Sequence, residues 1–100
     1  MDKNEAIAKV RQYKLLFQNY FDVSQVYLFG SYAKGTNQKD SDIDVAIIVN
    51  TISDDYFATT PLLWKLRRQV DDRIEPIIIE KDNDKSGFID EIRKYGIEIR

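Results

Sequence analysis

Apolar residues recur along the first twenty positions at helical spacing. Ile7, Val10, Leu15, Phe17 and Tyr20, with Leu16 widening the stripe, stand among Lys and Arg residues. The spacing predicts an amphipathic helix from about Asp2 to Tyr20 with one buried side. "VSQVYLFG" then reads as a strand over Gln25 to Phe29, closed by Gly30. Ser31 to Asp40 is polar and carries Gly35, which predicts a loop with a helical turn at its start. "DIDVAIIV", Asp42 to Val49, is a second strand, and its far half suits a central strand covered on both faces. "NTISDD" is a loop, and Thr60-Pro61 looks like an N-cap followed by proline at the first helical position. Leu62, Leu66 and Val70, with Leu63 beside them, mark the buried face of that helix to about Asp72. "RIEPIIIE" is a third strand, which Pro76 places at an edge or a bulge. Beyond the loop "KDNDKSG", Phe88 to Tyr95 form a short helix that Gly96 stops.

The order α-β-β-α-β-α predicts an α/β (α+β) domain, a small mixed sheet of about three strands with helices packed on it. The strand–helix–strand unit from Asp42 to Ile79 implies a right-handed crossover and two parallel strands. The first two strands, joined by about a dozen loop residues, are expected to be antiparallel. No repeat, low-complexity tract or linker divides the chain, so residues 1–100 are expected to form one domain.

Composition narrows the chemistry. The hydrophobic share of 43% fits a folded chain, and a net charge of −2, from 15 basic and 17 acidic residues, gives no global case for nucleic acid or anionic membrane. Cysteine and histidine are both absent, which excludes disulfides, thiol chemistry, zinc sites and histidine acid–base catalysis. Any metal must be held by carboxylates, the ligands of hard cations such as Mg²⁺. The N-terminal "MDKNEAIAKV" has no signal-peptide core and the apolar runs are too short to span a bilayer. The expectation is a soluble cytoplasmic protein without membrane contact.

The chemistry-bearing stretch is "LFGSYAKGTNQKDSDIDVAIIV", Leu28 to Val49. Strand periodicity puts Asp42 and Asp44 on one face, with Ile43 and Val45 on the other. Two like charges side by side repel, and each desolvated carboxylate costs several kcal/mol unless compensated. A divalent cation would supply that compensation, although an isolated D-x-D more often marks the exposed start of a strand, where Ser41 and Asp42 cap a turn. "GSYAKG" adds a glycine that lets a bound group approach the backbone, and Ser31 supplies a hydroxyl and an N–H. The spacing matches neither the P-loop nor the dinucleotide fingerprint.

Together these residues give G-S-x-x-x-G-x₅-S-D-x-D between two strands, from Gly30 to Asp44. This resembles the nucleotidyltransferase superfamily that includes DNA polymerase β and the kanamycin nucleotidyltransferases, and more closely its minimal nucleotidyltransferases. The resemblance implies that Gly30 and Ser31, with Ser41 and Lys34 as further candidates, hold the phosphates of a nucleoside triphosphate. It implies that Asp42 and Asp44 coordinate two Mg²⁺ ions, with ATP as co-substrate and pyrophosphate as the leaving group. The family has a third carboxylate on the neighbouring strand. That position reads Glu75 in "RIEPIII", where aspartate is more usual, with Asp72 as the fallback if the strand begins earlier.

Lone catalytic cores of this kind pair, by resemblance, with a HEPN-domain ribonuclease toxin in a hetero-oligomeric toxin–antitoxin module. The implied activity is AMP transfer from ATP to a tyrosine of that toxin. Two alternatives stand beside it: neutralisation of the toxin mainly by binding, and transfer to a small molecule such as an aminoglycoside. Direct nucleic-acid binding is not expected. Arg67 and Arg68 lie on the crossover helix, where at least one belongs to its polar face, and Trp64 and Tyr56 are expected to pack in the core rather than on a partner or base.

Overall fold

The computed structural model describes residues 1–52, 56–84 and 86–100, with the backbone alone at 56 and 57. Its elements are α1 (Lys3–Phe17), β1 (Val23–Phe29), α2 (Ser31–Lys34), β2 (Ile43–Val49), α3 (Tyr56–Leu66), β3 (Ile74–Glu80), α4 (Phe88–Tyr95) and β4 (Ile97–Glu98). The four strands form one sheet in the order β3-β2-β1-β4. β1 is antiparallel to β2 and to β4, and β2 is parallel to β3. The expected strand directions and the edge position of the proline-bearing strand are both seen. The fourth strand is the addition: two residues are too few to show a period, and β4 exists because β1 offers it an open edge.

Asp2 caps α1, its carboxylate accepting the Glu5 N–H at 2.8 Å. The buried face of α1 is Ala6, Val10, Tyr13 and Phe17, not the stripe expected through Leu15 and Tyr20. Leu15 and Tyr20 are exposed. At 100° per residue Leu15 points away from Phe17, and Tyr20 lies beyond the helix end. Tyr13 takes the core position instead, packing edge-on against Phe17 and donating its hydroxyl to the Leu63 carbonyl at 2.8 Å. Burial pushes the Tyr13 phenol well above its ordinary value, offset in part by the Arg67 charge.

α3 begins at Tyr56, so Pro61 lies inside the helix rather than at its first position. Among its described side chains Leu63 and Leu66 are buried, with Leu62 half-buried beside them, and a 3-10 turn at Arg67–Gln69 ends the crossover before Asp72.

The sheet separates two apolar layers. Val26, Leu28, Ile43, Val45, Ile47 and Ile74 face α1 and α3. Tyr27, Ala46 and Ile48 face Ile89 and Ile92 of α4. The same alternation turns Asp44 and Glu75 to the α4 side, because each neighbours an Ile or Val that enters the other layer. Asp71 anchors the start of β3. Its carboxylate accepts from Arg73 Nε at 3.0 Å and Nη2 at 2.8 Å, and from Lys9 Nζ of α1 at 2.6 Å. The Arg73 carbonyl in turn accepts the Ile43 N–H at 2.8 Å, locking the start of β2 to the same point.

Candidate active site

Four segments end at one edge of the sheet: the close of β1, the first turn of α2, and the starts of β2 and β3. In the sheet register Asp44 stands between Phe29 of β1 and Glu75 of β3. Gly30 follows directly, with φ 73° and ψ −149°, a conformation only glycine adopts readily. A Cβ on Gly30 would overlap the Asp44 carboxylate, lying 3.0 Å from its Cγ and 3.3 Å from its Cβ. The glycine thus gives Asp44 the space its side chain occupies.

Asp44 is half-buried and Asp42, just before the strand, is exposed. Burial pushes the Asp44 carboxyl above its ordinary value, and the negative charges of Asp42 and Glu75 push it further in the same direction. The three acids therefore feel one another. Among the described residues no three of them close into a cage for a cation as they stand. A set of oxygen donors with excess negative charge fits a hard divalent ion rather than a soft one.

Ser31 opens α2, where the first N–H groups of a helical turn have no partner within it. Lys34, in the same turn, is exposed and lines with Gly30 a cavity of about 240 Å³ whose apolar walls include Phe29, Phe88 and Tyr95. A larger hollow of about 390 Å³, lined by Asn19, Phe21 and Ile52, lies by Val49 at the far end of β2, away from the acids. The Ser41 hydroxyl accepts the Gln38 N–H at 2.7 Å and so closes the turn before β2, leaving its own proton to donate. Lys39 and Asp40 form turn, as expected, and Asp72 is exposed and precedes β3, which starts at Ile74. Glu75 is accordingly the acid that the register sets beside Asp44.

The sequence profile described as polymerase beta, nucleotidyltransferase, matches residues 11–100. The chain belongs to the polymerase β nucleotidyltransferase family. Nucleotidyl transfer is the chemistry of that family, and both glycine-serine turn and paired aspartates lie within the matched region. A protein of Methanocaldococcus jannaschii assigned as a protein adenylyltransferase is 35% identical over 79 residues, which cover 77% of this chain and 79% of that one. The protein adenylyltransferase MntA of Shewanella oneidensis is 37% identical over 62 residues, 62% of this chain and 44% of that protein. This nucleotidyltransferase thus matches less than half the length of the Shewanella enzyme.

Solved structures agree on the fold. A nucleotidyltransferase of Sulfolobus solfataricus superposes with a TM-score of 0.69 at 18% identity, over 96% of this chain and 80% of that one. A toxin–antitoxin complex with AMP-PNP gives 0.66 at 26% identity, over 92% and 72%.

One side chain departs from the sequence expectation. Trp64 is 40% exposed rather than core, with the Arg67 guanidinium 4.6 Å over its ring. Arg67, half-buried, reaches the Glu75 carboxylate, while Arg68 is exposed on the polar face. Only the crossover brings Arg67 to Glu75, so no local motif signals it. The side chain of Tyr56 lies outside the described residues.

Proposed function

We propose that this nucleotidyltransferase transfers AMP from ATP to a tyrosine of a HEPN-domain ribonuclease toxin, acting as its antitoxin in the cytoplasm. The observation that carries the reading is the register of the sheet, which sets Asp44 between the Gly30 turn and Glu75. Likeness to protein adenylyltransferases and to a toxin–antitoxin complex with AMP-PNP supports the choice of nucleotide and of a protein acceptor.

Gly30 and the Ser31 N–H and hydroxyl hold the β- and γ-phosphates, with Lys34 and Ser41 as outer contacts. Asp42, Asp44 and Glu75 would hold two Mg²⁺ ions, whose charge would offset that developing on the α-phosphate and the leaving pyrophosphate. The acceptor hydroxyl oxygen forms a bond to the α-phosphorus as the α–β bridging bond breaks. In this reading Glu75 takes the hydroxyl proton, and pyrophosphate leaves.

The test is incubation with Mg²⁺, α-labelled ATP and the protein encoded by the adjacent gene. Label is expected on that partner, and is lost with Asp42→Asn plus Asp44→Asn. No label on the partner sinks the reading. If the double variant still neutralises the toxin as well as wild type, binding suffices, and resistance to an aminoglycoside without the neighbour indicates a small-molecule acceptor.

A further inference from the structure

Arg67 sits at the end of the crossover, where its guanidinium is fixed on several sides. Nη1 donates to the Ile74 carbonyl at 2.9 Å, one residue before Glu75. The same Nη1 lies 3.7 Å from Glu75 Oε1. The guanidinium stacks 4.6 Å over the Trp64 ring, and its charge reaches the buried Tyr13 phenol on the core side. Its Nε is buried and has no hydrogen-bond partner among the described residues. A buried donor without a partner is costly, so this placement is not the most favourable one open to an arginine.

The ion pair explains little of the fold's stability. The Glu75 side chain is 42% exposed, and solvent screens such a pair to a small contribution. Orientation is the better account. A guanidinium locked by a backbone carbonyl and an indole presents a fixed positive edge, and a flexible glutamate beside it loses rotamers. Glutamate has one more rotatable bond than the aspartate usual at this position, so it needs such a restraint more.

We propose that Arg67 is a positioning residue: anchored by Ile74 and Trp64, it holds the Glu75 carboxylate in one rotamer on the Asp44 side of the sheet. The assignment rests on the reading of Glu75 as the third acid. The approach of the pair is through Oε1, at 3.7 Å. Arg68, exposed on the same turn, has no part in it.

Two measurements test this. In protein with ¹³C-labelled glutamate, three-bond couplings of Glu75 are expected to report one rotamer in wild type and averaging in Arg67→Gln. Arg67→Lys restores part of the restraint through its charge, and Trp64→Ala, which leaves the arginine in place, loosens it in weaker form should Arg67→Gln not fold. In the labelling assay Arg67→Gln is expected to lower kcat about tenfold to a hundredfold, the scale of a misplaced catalytic group, with the ATP KM within twofold. In a Glu75→Gln background, Arg67→Gln is expected to lower kcat no further. Unchanged Glu75 couplings in both Arg67→Gln and Trp64→Ala overturn the proposal, as does an equal kcat loss in the Glu75→Gln background. If wild type transfers no label but the couplings change as expected, the adenylylation reading falls while the positioning role stands.

Discussion

Adding a single methyl group at Gly30 should separate backbone strain from loss of the site. At φ 73° and ψ −149° an alanine costs about 1–3 kcal/mol in backbone strain. Its Cβ would also overlap the Asp44 carboxylate, and the nearby Cγ at 3.0 Å leaves that side chain no choice but to swing away. Forced repacking of this kind adds about 1–3 kcal/mol. For a domain of this size each kcal/mol shifts the melting temperature by about 4–8 °C, so the combined cost of about 2–6 kcal/mol should lower the Gly30→Ala melt by roughly 10–50 °C. A catalytic carboxylate displaced by about 1 Å should cost about a hundredfold in adenylyl transfer. Gly35→Ala is the control. It shares a positive φ of 75°, but nothing lies within 4 Å of its would-be Cβ. It should lose only about 1–2 kcal/mol, with the rate per folded molecule unchanged. Thermal melts and labelled-ATP transfer, run below both melting temperatures, give the answer. Equal rate losses in the two variants, or a Gly30→Ala protein as active as wild type, would refute the reasoning.

Asp44→Asn should melt higher than wild type in the presence of a chelator while losing transfer, because the carboxylate is half-buried beside Asp42 and Glu75; a lower melt would contradict that repulsion. Hydrogen bonds from Arg73 and Lys9 hold the Asp71 carboxyl well below its ordinary value, against the opposing effect of burial. The stability it contributes is therefore present above the unfolded value of 3.8 and is lost as pH falls through the lower folded value. Asp71→Asn should cost about 1.5–3 kcal/mol at pH 7 in urea unfolding, a deficit that narrows below about pH 3.8, whereas a constant deficit would place the effect elsewhere. Tyr13→Phe removes the hydroxyl's hydrogen bond to the Leu63 carbonyl and should cost about 0.5–1.5 kcal/mol, read as a melting shift with transfer intact.

The Gly30–Asp44 stretch was legible because all its groups lie close in the chain; the strand period predicts a common face for Asp42 and Asp44, but the strand starts at Ile43, leaving Asp42 just before it. Glu75 was legible one step further out, since a strand–helix–strand crossover enforces parallel pairing and one register then aligns it with Asp44. Helical phase was harder. A stripe through Leu15 looked as apolar as one through Tyr13, and only packing against Leu63 and Phe17 decides between them. Trp64 and Arg67 were read separately because nothing in the sequence says that one stacks on the other. β4 has no signal of its own, being two residues recruited by the edge of β1.

Parity has a consequence for how such a chain can diverge. Within β2 every residue carries a phase: one added residue would exchange the α1-facing apolar set with Asp44 and its neighbours, removing the core and the chemistry together. The stretch from 36 to 41 carries no phase, since it lies between elements whose pairing is fixed elsewhere. Its length can drift while the acids stay aligned. Lineages descended from such a fold are thus free to differ most in the very segment that joins the phosphate turn to the aspartates.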